Sequence, residues 1–178
     1  MDLEKLKYPI GKFESPKTYD ETTISNFIKV LEDFPGNLRH EVEGLSDQQL
    51  DTPYRDGGWT IRQVVNHVAD SHMNGLARQK LALTEDTPKI NAYKQDLWAE
   101  LADCKSFPIQ PALQVIEGIH KRWCFLLRSI QRSQWAKAYF HPEKNKEVTL
   151  LESLASYAWH SRHHLAHITE LKKEKCWT

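Results

Sequence analysis

The sequence of 178 residues contains only three cysteines, at positions 104, 124 and 176, and none of them forms a Cys-x-x-Cys pair. The missing pair argues against a zinc ribbon or a thioredoxin-type redox centre. Three cysteines are also too few for the disulfide framework of a small secreted domain, so we expect reduced thiols in a cytoplasmic protein. Cys124 follows Trp123 and precedes Phe125, which predicts a buried and unreactive thiol.

The sequence also lacks an excess of charge of either sign. Lys and Arg number 24, Asp and Glu number 24, and the formal net charge is +0. Because affinity for nucleic acid depends on positive charge, we expect no nucleic-acid partner. No apolar run approaches the roughly 20 residues of a membrane span, and the N-terminus interleaves charges where a signal peptide would be apolar. We therefore expect no membrane association.

Glycine is scarce, with 7 residues, and the glycine motifs of common enzymes are missing. There is no Gly-x-Ser-x-Gly elbow, no phosphate-binding loop and no dinucleotide fingerprint, which argues against the enzyme classes built on them. Histidine, by contrast, is abundant, with 9 residues in the chain. The search for function therefore turns to the histidines and to the helices that carry them.

Four long amphipathic segments dominate the pattern and predict an all-α protein. The predicted helices run from about Asp20 to Gly44, Thr60 to Glu85, Pro111 to Arg132 and Thr149 to Lys175. Thr60 with Gln63 and Thr149 with Glu152 form candidate capping boxes at two of the starts. Pro35-Gly36 predicts a kink or a break within the first helix.

The connections predict how the helices are arranged. Residues 1–18 should form an extended N-terminal arm, Ser46 to Asp51 a helical turn, and Tyr139 to Lys146 a loop. Thr87 to Pro108 reads as a long crossover with one short helix. No segment alternates convincingly as a strand would. We predict one domain over residues 1–178, a four-helix bundle in which the long crossover makes some neighbouring helices non-consecutive.

The last helix carries four histidines, at positions 160, 163, 164 and 167. His160 and His164 lie one turn apart on one face, a spacing that lets two imidazoles bind one ion. They also lie nearest the apolar stripe that marks the buried side of this helix, whereas His163 points furthest from it, towards solvent or a neighbouring loop. The alternative is a polar helix face with structural histidines.

His67, on the second long helix, is a third candidate ligand. It lies beside the apolar face formed by Val64, Val65 and Val68, and with His160 and His164 it would complete a three-nitrogen site if the two helices are adjacent. Asp70 could orient an imidazole, or it could be an exposed carboxylate. Arg55 lies in the loop before this helix and could contact an anionic substrate. A surface salt bridge that braces the loop is the alternative for it.

Three neutral imidazoles suit Zn²⁺ and also Ni²⁺ or Fe²⁺, and they leave a coordination position open for water or substrate. Such a site could support hydrolysis or the activation of a thiol, and the ligand set does not choose between them. Ser161 stands where a His-Glu-x-x-His peptidase carries its general base, so this sequence does not fit that class of peptidase.

Several ordered runs resemble the YfiT-type branch of the DinB-like superfamily, and together they cover nearly the whole chain. They are Tyr8 to Gly11, Leu50 to Thr60, His67 to Asn74 and Tyr157 to Ile168. The resemblance implies a DinB-like four-helix bundle, often a homodimer, with one divalent ion, zinc or nickel, on His67, His160 and His164. His72, His141, His163 and His167 are then candidates for supporting or pocket roles.

The resemblance also implies a metal-dependent enzyme, and two enzymatic functions and one competing non-enzymatic function stay open. The first is a metal-dependent transferase that joins a low-molecular-weight thiol of the bacillithiol type to a small electrophile. The second is a metal-dependent hydrolase that uses metal-bound water. The third is a non-enzymatic metal-binding bundle involved in stress responses.

Overall fold

The computed structural model describes residues 3–16 and 18–177, and the predicted all-α class is confirmed. The four long helices are α2 (Glu21–Val42), α4 (Ile61–Thr84), α7 (Gln110–Ser129) and α8 (Leu150–Glu174). Their ends differ from the predicted ends by a few residues. Among the described residues, one 3₁₀-helix (Arg132–Ala136) and four short α-helices complete the set: α1 (Leu3–Lys7), α3 (Asp47–Leu50), α5 (Gln95–Trp98) and α6 (Ala102–Ser106).

The start of α4 is fixed by a complete capping box. The Thr60 hydroxyl accepts the Gln63 backbone N–H at 3.1 Å, and the Gln63 side chain accepts the Thr60 N–H at 2.9 Å. At α8 only half of the predicted box forms, because Thr149 accepts from the Glu152 backbone while the Glu152 carboxylate pairs with Lys146. The helices that carry the candidate ligands therefore begin where the sequence predicts.

Pro35 does not break α2, which continues from Glu21 to Val42. Proline has no N–H, so the carbonyl of Leu31, four residues earlier, receives no helical hydrogen bond from it. The ring of His120 on α7 contacts that carbonyl through Nδ1. The break considered from the sequence is thus absent, and the polar group that Pro35 frees is used by a neighbouring helix.

The long helices do not pack in chain order. Helix α2 packs mainly against α7 and α8, and α4 packs against the same two helices. Consecutive α2 and α4 are therefore diagonal to each other in the bundle. This confirms the predicted non-consecutive neighbours, and it places α4 beside α8, which the three-histidine hypothesis required.

A glycine on α4 permits the close approach of α8. A Cβ atom added to Gly75 would lie 2.5 Å from the Tyr157 ring and 2.6 Å from the Trp123 ring. Both rings belong to one of the two apolar clusters that form the core, together with Leu76, Leu127 and Leu154. The missing side chain therefore allows two large aromatic rings to fill the centre of the bundle.

Two connections differ from the prediction. Strands β1 (Ala138–His141) and β2 (Lys146–Thr149) form an antiparallel hairpin where a loop was expected. Asn145, with φ 47°, lies in its turn, a conformation that asparagine tolerates better than most residues. The crossover contains two short helices, α5 and α6, where one was predicted.

The N-terminal arm is only partly extended. It begins with α1, and residues 11–16 have no regular structure, while Met1, Asp2 and Lys17 of the predicted arm lie outside the described residues. The arm lies on α8, because Trp159 donates its indole N–H to the Gly11 carbonyl at 3.2 Å. Within the described part of the chain, no helix is long and apolar enough to span a membrane.

Candidate metal centre

Helices α4 and α8 bring His67, His160 and His164 together in a group whose ligand atoms all lie within 4.8 Å of one another. The Nε2 atom of His160 lies 3.2 Å from Nε2 of His67 and 3.1 Å from Nε2 of His164. The two histidines of α8 are one turn apart, and α4 supplies the third. The structure thus brings together the three residues that the sequence selected.

The spacing of these nitrogens fits a divalent ion. With metal–nitrogen bonds of 2.0–2.1 Å, neighbouring corners of a tetrahedron are about 3.3 Å apart. The two measured separations, 3.1 and 3.2 Å, are close to that edge length. Three imidazoles at such corners leave the fourth corner free for a small ligand.

Burial keeps these imidazoles neutral near pH 7. Loss of solvent, followed by repulsion from the His167 imidazole, lowers the pKa of His67 to about 4. Burial, followed by repulsion from neighbouring imidazoles, holds the pKa of His160 and His164 well below the usual value. Neutral imidazoles are the form that binds metal ions, so the group is ready to do so without losing protons.

A second group of three nitrogens overlaps the first and consists of His163, His164 and His167. The Nδ1 atoms of all three are buried and have no hydrogen-bond partner among the described residues. His163 and His164 are adjacent on the helix, so their side chains leave it about 100° apart. The one-turn pair His160 and His164 is better arranged to share an ion with His67.

His163 is not at the solvent surface. Its ring stacks on Trp159 with centroids 4.4 Å apart, and the Tyr8 ring of the N-terminal arm lies 5.9 Å away. Of the two surroundings predicted for His163, solvent or a neighbouring loop, the structure shows the second, because the N-terminal arm lies against it. The helical pattern gave the direction of the side chain but could not show that the arm covers it.

A chain of hydrogen bonds leads from His160 into the core. His160 Nδ1 lies 3.0 Å from Nε2 of His72, and His72 Nδ1 lies 2.7 Å from Nε2 of His120. His120 Nδ1 contacts the Leu31 carbonyl. His72 was expected to have a supporting role, but the sequence reasoning missed His120. The signal was a histidine within the apolar stripe of α7, between Ile116 and Trp123.

A cavity of about 390 Å³ opens beside the three nitrogens, and we call it the metal-site cavity. Its wall includes Tyr54, Arg55, Trp59, His67, His160 and His164. Arg55 lies over the Tyr54 ring at 5.3 Å and donates to the Asp56 carbonyl at 2.9 Å. In the described part of the chain Arg55 makes no salt bridge, and its Nε is buried without a partner.

A second cavity, of about 650 Å³, is also bordered by His160, and we call it the Arg78 cavity. It includes Arg78, Tyr93, His141, Lys144 and Tyr157. His141 was expected to be a pocket residue, and it lines this cavity. Arg78 was not singled out from the sequence, because an arginine on a polar helix face has no distinguishing pattern.

Two further residues do not contribute to the centre. Asp70 is half-buried, and burial followed by repulsion from Asp103 on α6 raises its pKa to about 6. It contacts no imidazole of the group among the described residues, so the orienting role considered for it is not seen. Cys124 is buried as predicted, and burial raises the pKa of its thiol to about 11.

Comparison with known proteins gives a consistent picture. The family model of the DinB superfamily matches residues 31–168 of this chain. YfiT of Bacillus subtilis (strain 168), named as a candidate metal-dependent hydrolase, is 45% identical over 178 residues, which cover 100% of both chains. A relative of the same description from Bacillus cereus (strain 03BB102) is 47% identical over 175 residues, 98% of this chain and 100% of the relative.

A solved structure agrees with these matches. The structure of YfiT from Bacillus subtilis, described as a four-helix bundle of unusual topology, aligns with a TM-score of 0.95. The alignment covers 98% of this chain and 99% of that chain, at 45% sequence identity.

Proposed function

Since the chain belongs to the DinB superfamily, we propose that it is a metal-dependent enzyme whose divalent ion is held by His67, His160 and His164. The observation that carries this proposal is the convergence of three neutral imidazole nitrogens at 3.1 and 3.2 Å beside a cavity. Zinc suits this donor set best, and nickel fits it as well.

The chemistry of such a centre is the activation of a small nucleophile. A divalent ion bound there would lower the pKa of a bound water or thiol, so that either could react at neutral pH. The chain itself contributes orientation and exclusion of water. Trp59 packs against His67, with ring centroids 4.5 Å apart, and forms an apolar wall, while Arg55 offers its guanidinium to an anionic group at the same cavity.

We favour thiol transfer, in which a low-molecular-weight thiol such as bacillithiol attacks a small electrophile. Two cavities, of about 390 and 650 Å³, border the same ligand, His160. Each contains an arginine whose Nε is buried without a partner among the described residues, Arg55 in one and Arg78 in the other. Two separate chambers suit a reaction that joins two organic molecules, and a hydrolase needs only one such molecule.

Hydrolysis is the second candidate, because relatives at 45% and 47% identity carry the description of metal-dependent hydrolases. In that reaction water replaces the thiol as the nucleophile at the same centre. The two functions therefore share every proposed ligand and differ only in the attacking group.

The test begins with elemental analysis of the purified protein and then compares turnover of a chromogenic electrophile and of a chromogenic ester. Each assay is run with and without bacillithiol, before and after metal stripping, with His40→Gln on the exposed face of α2 as the control variant. Metal-dependent turnover that requires the thiol supports transfer. Ester cleavage without thiol supports hydrolysis. Bound metal with neither activity contradicts both and leaves a metal-binding protein.

A further inference from the structure

The Arg78 cavity contains a guanidinium with almost no partners. Arg78 donates to the Tyr157 hydroxyl and to the Asn91 carbonyl, both at a long 3.4 Å, and its Nε is buried without a partner. It makes no salt bridge within the described part of the chain. Buried donors without acceptors are costly, so a ligand that accepts these hydrogen bonds would be favoured.

The surroundings of Arg78 do not neutralise its charge. Glu152 borders the cavity, but its carboxylate is paired with Lys146. Asp96 and Glu143 are exposed residues at the rim, where Lys144 lies as well. Repulsion from Arg78 contributes to the lowered pKa of both His141 and Lys144, after burial, which is the largest cause. The guanidinium therefore has no carboxylate partner among the described residues.

A neutral donor also lies near the guanidinium. The Arg78 guanidinium lies 6.0 Å from the centroid of the Tyr93 ring, and burial raises the pKa of Tyr93 to about 12, so this phenol keeps its proton at neutral pH. The Tyr139 and Tyr157 hydroxyls already donate to Ser153 and to the Ser71 carbonyl. A planar guanidinium near a phenolic O–H group is suited to a carboxylate or phosphate, which accepts several hydrogen bonds at once. The cavity therefore offers shape and charge for an anionic group.

We infer that the Arg78 cavity binds the anionic group of a substrate, a carboxylate or a phosphate ester, while the reacting atom of that substrate reaches the three-histidine centre. This inference rests on the proposed function. His160 borders both cavities, so a group held at Arg78 lies next to a ligand of the three-histidine centre. The substrate would therefore be an anion, and Arg78 would select for its charged group.

Binding of succinate and of inorganic phosphate, measured by calorimetry on the metal-free and on the zinc-loaded chain, tests this inference, with neutral succinamide as the matched ligand. Arg78→Gln should weaken anion binding by about tenfold or more, whereas Arg39→Gln, outside both cavities, should not. Equal binding by the wild-type protein and Arg78→Gln, or equal binding of succinamide, would overturn the inference. Anion binding seen only with metal present, and unchanged in Arg78→Gln, would overturn it too.

Metal titration separates the two proposals. If both the wild-type protein and Arg78→Gln bind one ion per chain but neither binds an anion, the subsite is wrong and the metal centre stands. If the wild-type protein binds the anion but no metal, the proposed function is wrong instead. Lys144→Gln, at the rim, should weaken anion binding less than Arg78→Gln because its ammonium lies closer to solvent.

A different observation, the hydrogen-bond chain of His160, His72 and His120, supports a second inference. The Leu31 carbonyl can only accept, so His120 must donate from Nδ1, which leaves a lone pair on its Nε2. His72 must then donate from Nδ1 to His120 and accept at Nε2 from Nδ1 of His160. The remaining nitrogen, His160 Nε2, is left with a lone pair that faces His67 and His164.

The first acceptor of this hydrogen-bond chain is a backbone carbonyl of α2. The Leu31 carbonyl is free to accept because Pro35, four residues later, has no N–H. The geometry points to His120 and His72 as positioning residues that fix the tautomer of His160 and keep its Nε2 available as a metal ligand. Pro35 is then the residue in the sequence that provides the starting acceptor.

Nitrogen-15 NMR of the imidazole groups reads the tautomers directly, and all three rings should carry the proton on Nδ1 in the folded chain. An Nε2–H form at His72 would overturn the inference whether or not any variant folds. His120→Leu should weaken zinc affinity by about 10 to 100-fold. His120→Gln should restore much of it, because an amide can both donate to Leu31 and accept from His72, and a purely structural role would not give this rescue.

Discussion

His160 and His163 lie on the same helix, yet the structure gives their side chains different surroundings. His160 Nε2 faces the other two candidate ligands, whereas His163 stacks between Trp159 and the N-terminal arm. The two positions are three residues apart, so their side chains leave the helix about 60° apart, which is enough to separate a ligand from a wall residue. The two positions are therefore a sharp test of the ligand assignment.

We expect His160→Ala to lower zinc affinity by more than about 100-fold, because it removes one of three donors and the end of the hydrogen-bond chain. His163→Ala should reduce it far less. Equilibrium dialysis against a competing chelator, followed by elemental analysis, measures both. Equal losses from the two variants would contradict the assignment, and a larger loss from His163→Ala would favour the group formed by His163, His164 and His167.

Helix periodicity was sufficient to predict which two histidines of α8 converge with His67, because the apolar stripe shows which side is buried. It could not predict His120 as a partner of His72, since that contact joins α4 to α7 and depends on how the helices pack. The role of Pro35 was hidden for a similar reason. A proline within a helix predicts a lost hydrogen bond, but only the fold shows which side chain takes its place.

At the level of elements, the helices were predictable and the hairpin was not. Residues with apolar side chains at helical spacing and Thr60 at the N-cap fix α4 locally. Strands β1 and β2 have only four residues each, and their pairing depends on the turn at Asn145 and on packing of Tyr139 and Val148 into the core. Such short segments carry little alternation for a sequence pattern to detect.

The contact between α4 and α8 depends on Gly75, and two glycine substitutions test it. Gly75→Ala should lower the free energy of unfolding by about 1–3 kcal/mol, because its Cβ would overlap the Tyr157 and Trp123 rings. Gly118 is exposed on α7, and a Cβ atom added there would meet nothing within 4 Å, so Gly118→Ala should raise the free energy of unfolding by about 0.5–1 kcal/mol through helix propensity. Urea denaturation measures both.

Gly118→Ala serves as the control for the general effect of alanine in a helix. If Gly75→Ala were as stabilising as Gly118→Ala, α4 and α8 would have room to move apart, and the close approach of the helices would not be needed for stability. Loss of zinc affinity in Gly75→Ala alone would further link this contact to the position of His160, which lies 6.0 Å from the Tyr157 ring.

For the whole molecule, the arrangement of helices could be predicted only in outline. The long crossover between α4 and α7 indicated that some consecutive helices are not neighbours, and both the structure and the relative of known structure agree. The choice of which helices lie diagonal to each other depends on how all four apolar faces are buried together. No single segment of the sequence determines that choice. The cavities on either side of His160 follow from that arrangement and were not predictable.

The buried histidines make the stability of the metal-free protein depend on pH. Burial lowers the pKa of His67, His120 and His167 to about 4, from an ordinary value of 6.5. Between these values the unfolded chain binds protons that the folded chain does not. The free energy of unfolding is therefore highest above pH 6.5 and falls as the pH drops towards 4, by about 1.4 kcal/mol per pH unit for each such proton.

Asp70 opposes this trend. Burial raises its pKa to about 6, so as the pH falls the folded chain binds a proton at Asp70 before the unfolded chain does, which stabilises the folded chain. Three histidines outweigh one carboxyl group, so urea denaturation of the metal-free protein should show a clear net loss of stability from pH 7 to pH 5. His120→Gln removes one of the titrating groups and should make the loss shallower over the same range. A free energy of unfolding that is constant from pH 7 to pH 5 would mean that these imidazoles reach solvent and are not buried as the fold places them.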